Sequence, residues 1–415
     1  MDLAILGYGV VGSGVAQLLR QNNASITARS MQPAMRLKYI LDIRDFPGDP
    51  CESLIVHDMD QILGDPDVGI VAETIGGLHP AFDFVKACLK KGKSVVTSNK
   101  ELVAVRGYEL MRTARARNVN FLFEASVGGG IPVIRPLSQC LAGNVVDEVA
   151  GILNGTTNFI LTKMIDESMP FEAALRIAQE NGYAERDPAA DIEGHDACRK
   201  ICILATLAFG KHLLPEQVRT EGIRNVTIAD VLYAADGGCH IKLLGRARRT
   251  AGGRITVVVG PMLVPTTNLL ANVNDVYNAV MIHGDAVEDV IFYGRGAGKF
   301  PTASAVVGDI IDCAKHTQRR RFFDWEEGDP GFVAPAEEDV AKLYARAVCT
   351  PASGTEADEA WDTVRLALPG AKRLCRDDAP AAELAFITPA MREKEARAAL
   401  AGMAGLDVKA VMRVY

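Results

Sequence analysis

Short apolar runs alternate with segments of helical spacing along the first third of the chain. DLAIL at 2–6 is a continuous apolar run and reads as a buried strand, and VAQLLRQN after it has the three- and four-residue spacing of a helix. RLKYILDI at 36–43 and VGIVAET at 68–74 read as further strands. HPAFDFVKACLKKG is a helix ended by Gly92, and SVVTSN is the next strand. A helix over 101–117 and the strand VNFLFE at 119–124 complete a second strand–helix–strand set, and another helix is expected from Pro132. Strands regularly interrupted by helices predict an α/β domain of Rossmann type with a parallel sheet.

The pattern changes near residue 146. VVDEVAGILNGTTNFILTKM reads as a strand, a tight turn, and a helix capped by Thr156 or Thr157. FEAALRIAQENGY is an amphipathic helix with Gly182 beyond its end. Residues 240–249, 254–264 and 286–293 alternate apolar and polar and predict sheet, so 131–295 reads as an α+β catalytic and dimerisation domain. Self-association as a homodimer or homotetramer is expected there. GRGAGKFPTASAVVG at 294–308 restores a glycine loop followed by a helix, and 296–318 is expected to rejoin residues 1–130 in the nucleotide domain. Residues 319–336, rich in charge, glycine and proline, read as a linker. Residues 337–415 parse as strand KLYARAVC, helix EADEAWDTVRLAL, strands AKRLCR and ELAFIT, helix EKEARAALAGMAG and strand VKAVMRV. That is βαββαβ, a small ferredoxin-like domain suited to sensing or dimerisation.

Composition narrows the function. A chain of 415 residues predicts two or three domains, and a net charge of −7 argues against general nucleic-acid binding. The RRR run at 319–321 reads as a solvated turn. Nine scattered cysteines without a CxxC read as free thiols of a reducing cytosol. A strand beginning at residue 2 leaves no room for a signal peptide, and no apolar run reaches the ~18 residues of a membrane span. A cytoplasmic protein without membrane or nucleic-acid partners is the expectation.

Five places carry candidate chemistry. Gly7, Gly9 and Gly12 form GxGxxG between a strand and a helix, where glycines allow a tight turn, approach to a pyrophosphate and close helix packing. The second strand ends in Asp42-Ile43-Arg44-Asp45. An acid there suits the ribose hydroxyls of NAD and an arginine the 2′-phosphate of NADP; the position of Arg44 tips the expectation to NADP, with NAD as the other choice. Lys100 follows a strand end, where a ligand crevice or plain solvent both suit it. The three glycines of ASVGGGIP either turn carbonyls toward a cation or turn a corner between domains.

The richest stretch is GYAERDPAADIEGHDACRK at 182–200. It sets Glu185, Asp187, Asp191, Glu193 and Asp196 against Arg186, Arg199 and Lys200. Pro188 and Gly194 make 185–194 a loop, and a helix follows in which Asp196 and Lys200 share one face. A surface ion pair is the plain explanation. At the head of an apolar helix, under a carboxylate-rich loop, the pair instead reads as a polar site at a buried edge. A lysine there can move protons near neutral pH, and the carboxylates can grip an ammonium group.

Taken in order, the GxGxxG, TSNKE at 97–101, EASVGGGIP at 124–132, GILNGTTNFIL at 151–161, the 182–200 stretch and GAGKFPTASAV at 296–306 resemble homoserine dehydrogenases over residues 2–315. The terminal βαββαβ is similar to the ACT domain many of them carry. The resemblance implies NAD(P)-dependent, reversible conversion of L-homoserine to L-aspartate 4-semialdehyde in threonine, methionine and isoleucine synthesis. It implies Lys200 as proton carrier, Lys100 beside nicotinamide and substrate, and Glu185, Asp196 and Asp191 as substrate contacts. Cofactor contacts are implied at Gly7, Gly9, Val10, Val11, Gly12, Arg44, Thr74, Gly76, Ser98, Lys100 and Gly298. It also implies a sodium-type monovalent cation held at Glu124, Val127, Gly129 and Ile131, largely by backbone carbonyls. Two features depart from the family pattern. Val10 stands where many members have threonine, and CTPASGTE at 349–356 stands where the ACT domain has DxPG. Two other readings share the two-domain plan: a different amino-acid dehydrogenase, and a sensing regulator without turnover.

Overall fold

The computed structural model describes residues 1–32, 34–317, 320–350 and 357–415. The chain divides into two compact units: Met1–Val146 with Cys202–Pro215 and His283–Asp329, and Asp147–Ile201 with Glu216–Ile282 and Pro330–Tyr415. CTPASGTE lies mostly outside the described residues, as does Arg319 of the arginine run.

In the first unit six parallel strands, β1 (Asp2–Leu6), β2 (Arg36–Leu41), β3 (Ile55–Val56), β4 (Val68–Glu73), β5 (Ser94–Thr97) and β6 (Phe121–Leu122), stand in the order β3-β2-β1-β4-β5-β6. Every residue of β1 is buried, as its unbroken apolar run requires of a central strand covered on both faces. Strand order reverses between β1 and β4, so the carboxyl ends of these two strands flank the ligand crevice of such a sheet. The helix Lys299–Lys315 packs on this sheet: Ala303, Val306 and Ile310 share one core with Leu3, Ile5, Ile70 and Val96.

Several boundaries moved. β2 stops at Leu41, which leaves Asp42 to Arg44 in the turn beyond it. The helix expected from Pro132 starts at Ile134 and runs into a π turn, Pro136–Cys140. The charge-rich segment after residue 318 is irregular, yet it is anchored at Trp325, which is 3% exposed. Its indole N–H donates to His212 Nδ1 at 3.0 Å, and the two rings stack with centroids 5.3 Å apart. A Cβ on Gly107 would lie 2.4 Å from the same indole, so that glycine is a packing requirement.

The second unit is built on a mixed sheet whose strands follow the order Tyr277–Gly284, Val146–Ile152, Cys239–Arg249, Ile255–Pro265, Leu406–Val414, Val340–Cys349, Glu383–Ile387, Lys372–Leu374. The last four, numbered along the chain, stand 4-1-3-2 with antiparallel neighbours, the ferredoxin-like arrangement the sequence predicts. The C-terminal module is not set apart, however. Its last strand pairs parallel with the middle region at Met262–Arg413 and Leu263–Val414. A buried ion pair ties it further: Arg346 Nε meets Asp230 at 2.7 Å. Asp230 also closes a capping box with Thr227 on the helix Ile228–Asp236, which the sequence reading passed over.

The helix Gly155–Glu167 is capped by Asn154, whose side chain accepts the Thr157 N–H, and not by either threonine. One turn further on, Asn158 meets Lys242, which is completely buried. Lys242 Nζ donates to Val273 O at 2.6 Å, Asn274 Oδ1 at 3.0 Å and Asn158 Oδ1 at 3.3 Å. Burial pushes this ammonium down to about 8. In the unfolded chain the lysine keeps its proton to about 10.4. Between those values the unfolded state binds the extra proton, so this group's contribution to stability is lowest below pH 8 and improves as pH rises toward 10. Urea unfolding of wild type and Lys242→Met at pH 7.5 and pH 10 should show their stability difference changing by on the order of 2–3 kcal/mol. A difference that stays constant across that window would show that Lys242 titrates normally.

Candidate active site

The glycine turn after β1 behaves as three separate devices. Gly7 has φ +93°, and a Cβ there would press on Ile75 at 3.0 Å. A Cβ on Gly12 would meet the Gly7 carbonyl oxygen at 2.0 Å and Thr74 Oγ1 at 2.8 Å, so only glycine lets the helix Val10–Gln21 start so close. A Cβ on Gly9 would have nothing within 4 Å, the open approach a pyrophosphate needs. Thr74 Oγ1 donates to the Gly7 carbonyl at 2.8 Å and holds the turn. Val10 is exposed and Val11 half-buried at the start of that helix, whose N-terminus favours an anion. A cavity of about 400 Å³ opens here, lined by Gly7, Gly9, Asp42, Arg44, His57 and Thr74 among others.

At its rim Asp42 and Arg44 bind each other. Arg44 N–H and Nε both donate to Asp42 Oδ1 at 3.0 Å, and Tyr8 N–H donates to Oδ2 at 2.8 Å. Burial pushes the Asp42 carboxyl up, but the Arg44 side chain and these N–H donors more than offset it and hold it at about 2. Asp42 is therefore an anion throughout the physiological range, and the guanidinium beside it is largely exposed.

Glu73, the last residue of β4, is fully buried and was not singled out from the sequence. Its carboxylate accepts the N–H groups of Ile75 (2.8 Å) and Gly76 (3.1 Å) and the Thr97 hydroxyl, so it joins the glycine loop after β4 to the end of β5. An acid closing an apolar parallel strand was the available signal. Gly76 (φ +83°) and Gly77 (φ +68°) let the loop turn. Asn99 donates to Gly77 O at 2.6 Å and caps the helix Lys100–Arg117 through Leu102 N–H. Lys100 is thus the first helical residue and not a free strand end; Ser98 N–H donates to Glu73 O at 3.3 Å just before it. Gly298, at φ +122°, caps the helix that returns at Lys299.

Glu124, Val127, Gly129 and Ile131 fall together in one buried loop. The Glu124 carboxylate is spent on backbone, accepting Val133 (2.6 Å), Ile134 (2.9 Å) and Arg135 (2.8 Å) N–H groups at the start of the following helix. Gly129 has φ +55°, and a Cβ on it would lie 2.3 Å from the Gly296 carbonyl oxygen. Gly130 N–H donates to Arg295 O and Ile131 N–H to Gly128 O; neither bond ends on a carbonyl of Val127, Gly129 or Ile131. What the loop offers a hard cation is carbonyl oxygen.

In the second unit the 182–200 stretch folds onto the start of the helix Gly155–Glu167. Gly194 (φ +82°) precedes the helix His195–Phe209, and a short helix, Ala189–Ile192, occupies the expected loop. Asp196 and Lys200 are 5% and 7% exposed. Lys200 Nζ donates to Asp196 Oδ2 and to Leu153 O, both at 2.7 Å. The ion pair is therefore interior, which rules out the plain surface pair. Asn154 Nδ2 donates to Asp191 Oδ1 at 2.7 Å and to Asp196 Oδ2 at 2.9 Å. Thr156 Oγ1 holds Tyr183 O at 2.7 Å. Glu185 is not drawn in with these acids: it is exposed, and its carbonyl accepts Gln179 Nε2 at 3.1 Å.

Residues 7–124 match the family model described as "Homoserine dehydrogenase, NAD binding domain", and residues 132–311 match "Homoserine dehydrogenase". A homoserine dehydrogenase of Synechocystis sp. is 36% identical over 100% of this chain and 99% of its own length, and one of Neisseria gonorrhoeae is 37% identical over 98% and 96%. The chain belongs to the homoserine dehydrogenase family.

Membership carries an NAD(P)-dependent oxidoreductase activity on homoserine, within amino-acid biosynthesis. The crystal structure of a homoserine dehydrogenase from Thiobacillus denitrificans superposes with a TM-score of 0.87 at 35% identity, covering 100% of this chain and 98% of that one. A hyperthermophilic archaeal homoserine dehydrogenase in complex with NADPH superposes at 0.64 with 28% identity; it covers 75% of this chain and 97% of that one. Family members therefore exist without a counterpart for about a quarter of this chain. Among the described residues no helix is long and apolar enough to cross a membrane.

Proposed function

We propose that Lys200 accepts the hydroxyl proton of homoserine while hydride leaves the carbinol carbon for the nicotinamide ring, giving aspartate 4-semialdehyde. The observation that carries this is the buried amine of Lys200, held between Asp196 Oδ2 and Leu153 O. An amine can take that proton directly where the hydroxyl lies within hydrogen-bond reach of it, and Asp196 steadies its charged form. Asp191 and Asp196, with Glu185 from the exposed turn, are the anions for the substrate ammonium group; they orient the chain and so supply proximity. Lys100, at the positive end of its helix, is the second cation assigned to substrate and nicotinamide. The dinucleotide supplies hydride acceptance; Gly7, Gly9, Val10, Val11, Gly12, Thr74, Gly76, Ser98 and Gly298 are its expected contacts. The products are assigned to threonine, methionine and isoleucine synthesis.

The cofactor reading is NADP. Arg44 is exposed at the cavity rim, where a 2′-phosphate can compete with Asp42 for its guanidinium. Steady-state assays with L-homoserine and each dinucleotide at alkaline pH test both points. Wild type should reduce NADP⁺ at the lower KM. Arg44→Ala should raise the KM for NADP⁺ about tenfold or more and move that for NAD⁺ by less than about threefold. No reduction of either dinucleotide would sink the assignment, and equal KM changes would sink the role of Arg44. A monovalent cation of sodium type is assigned to the carbonyls of Glu124, Val127, Gly129 and Ile131; equal rates in sodium and in choline buffers would exclude it. The sheet-rich second unit is the proposed surface of a homodimer or homotetramer, which sedimentation equilibrium reads directly.

A further inference from the structure

We propose that Asn154 is a positioning residue for this reaction: its side-chain amide, oriented by the helix it caps, gives one N–H to Asp191 and the other to Asp196, and thereby sets the carboxylate that holds Lys200. The inference rests on the assignment of Lys200 and its acids as the reacting site.

The orientation of the amide follows from its surroundings. One end of the Asn154 side chain receives the Thr157 N–H at 2.9 Å and lies 3.0 Å from the Thr157 hydroxyl. A backbone N–H can only donate, so that end is the oxygen. The NH₂ end must then face the other way, toward Asp191 Oδ1 at 2.7 Å and Asp196 Oδ2 at 2.9 Å. Two hydrogens meet two carboxylates, and the amide's donor capacity is used up. A neutral group thus holds together two acids that would otherwise repel each other at a buried place.

The contacts close into a ring. Lys200 Nζ bonds Asp196 Oδ2, Asp196 Oδ2 bonds Asn154 Nδ2, and Lys200 Nζ bonds the carbonyl of Leu153, the residue before Asn154. The amine is therefore gripped from two sides by adjacent residues of one turn. That turn is itself held in place. A Cβ on Gly155 would lie 2.7 Å from Val276 O, so the backbone there is pressed against the segment at Val276. Asn154, Asp196 and Lys200 are all at least nine-tenths buried, where a hydrogen-bonded network of charges fixes geometry more firmly than at a surface. In the sequence this residue was visible only as part of a turn; nothing about its spacing to Asp191 or Asp196 announced the contact.

Two substitutions separate capping from positioning. Asn154→Asp keeps the shape and the capping oxygen but turns a third carboxylate toward Asp191 and Asp196. Asn154→Ser keeps a good capping acceptor and removes both donors. Each is compared with wild type and Lys200→Ala by thermal unfolding, NADPH fluorescence titration, and kcat and KM for both substrates. The expected result for Asn154→Ser is an unfolding midpoint close to wild type, NADPH affinity within about twofold, and a homoserine KM raised about tenfold or more; Asn154→Asp should lose about a hundredfold in kcat/KM. A residue that only caps its helix would leave the KM for homoserine unmoved once the folded fraction is accounted for. Asn154→Ser with wild-type kcat and homoserine KM, beside an inactive Lys200→Ala, overturns the positioning role alone. A fully active Lys200→Ala overturns instead the proton-carrying role on which it stands.

Discussion

Lys200→Ala should lower turnover about a thousandfold or more and leave dinucleotide affinity within about twofold of wild type. The first half follows from where the amine is. It is interior, it is in contact with Asp196, and it is the one group of the 182–200 stretch both basic and enclosed among the described residues. Losing a proton acceptor of this kind removes the usual contribution of general base catalysis and leaves the hydroxyl to water. The second half follows from the division of the chain. The glycine turn and its cavity belong to the first unit, whereas Lys200, Asp196 and Asn154 belong to the second. The substitution also leaves the Asp196 charge buried without its cation, a destabilisation of about 3–5 kcal/mol. Circular dichroism must therefore accompany the assay, and Lys200→Ala with Asp196→Asn removes that charge. Turnover within tenfold of wild type in folded protein would refute the role.

The mirror-image result is expected of the glycine turn. Gly12→Ala should weaken NADPH binding about a hundredfold or more, because its Cβ would have to occupy space 2.0 Å from the Gly7 carbonyl oxygen and 2.8 Å from Thr74 Oγ1. Backbone on one side and a hydroxyl bonded to that backbone on the other leave no flexible atom to yield. The turn must open, and the helix N-terminus proposed to receive the phosphates moves with it. Gly9→Ala is the informative companion. Its Cβ would touch nothing, so the unfolding midpoint should stay near wild type while NADPH affinity still falls, the methyl taking room meant for the pyrophosphate. Fluorescence titration with thermal unfolding separates the two. Gly12→Ala binding NADPH like wild type would show that the turn tolerates the shift.

Local pattern was enough for much of this. The centre of the parallel sheet is legible because β1, β4 and β5 are short apolar runs bounded by helix and turn signals, as strands buried on both faces must be; β2 is only partly buried and the two-residue β3 left no such signal. The ferredoxin-like order of the last four strands likewise follows from six elements in the right succession. Boundaries were less legible where side chains redirect backbone: Glu124 takes three N–H groups of the next helix and delays its start, and Asn154 takes the cap expected of a threonine.

The chain's own residue order determined the glycine turn and the Asp196–Lys200 face, each a matter of spacing within about twenty residues, and the family, through the order of such motifs over residues 2–315. Tertiary structure decided the rest. It made the Asp196–Lys200 pair interior, supplied the Leu153 carbonyl and the Asn154 amide from more than forty residues away, and left Glu185 outside in solvent. It turned a charge-rich segment into the anchor of a buried tryptophan, and it continued the C-terminal sheet into that of the middle region. The physical reason is common to all of these. Burial and hydrogen-bond partners are set by which distant segments the hydrophobic cores bring together, and spacing along one segment carries no record of them.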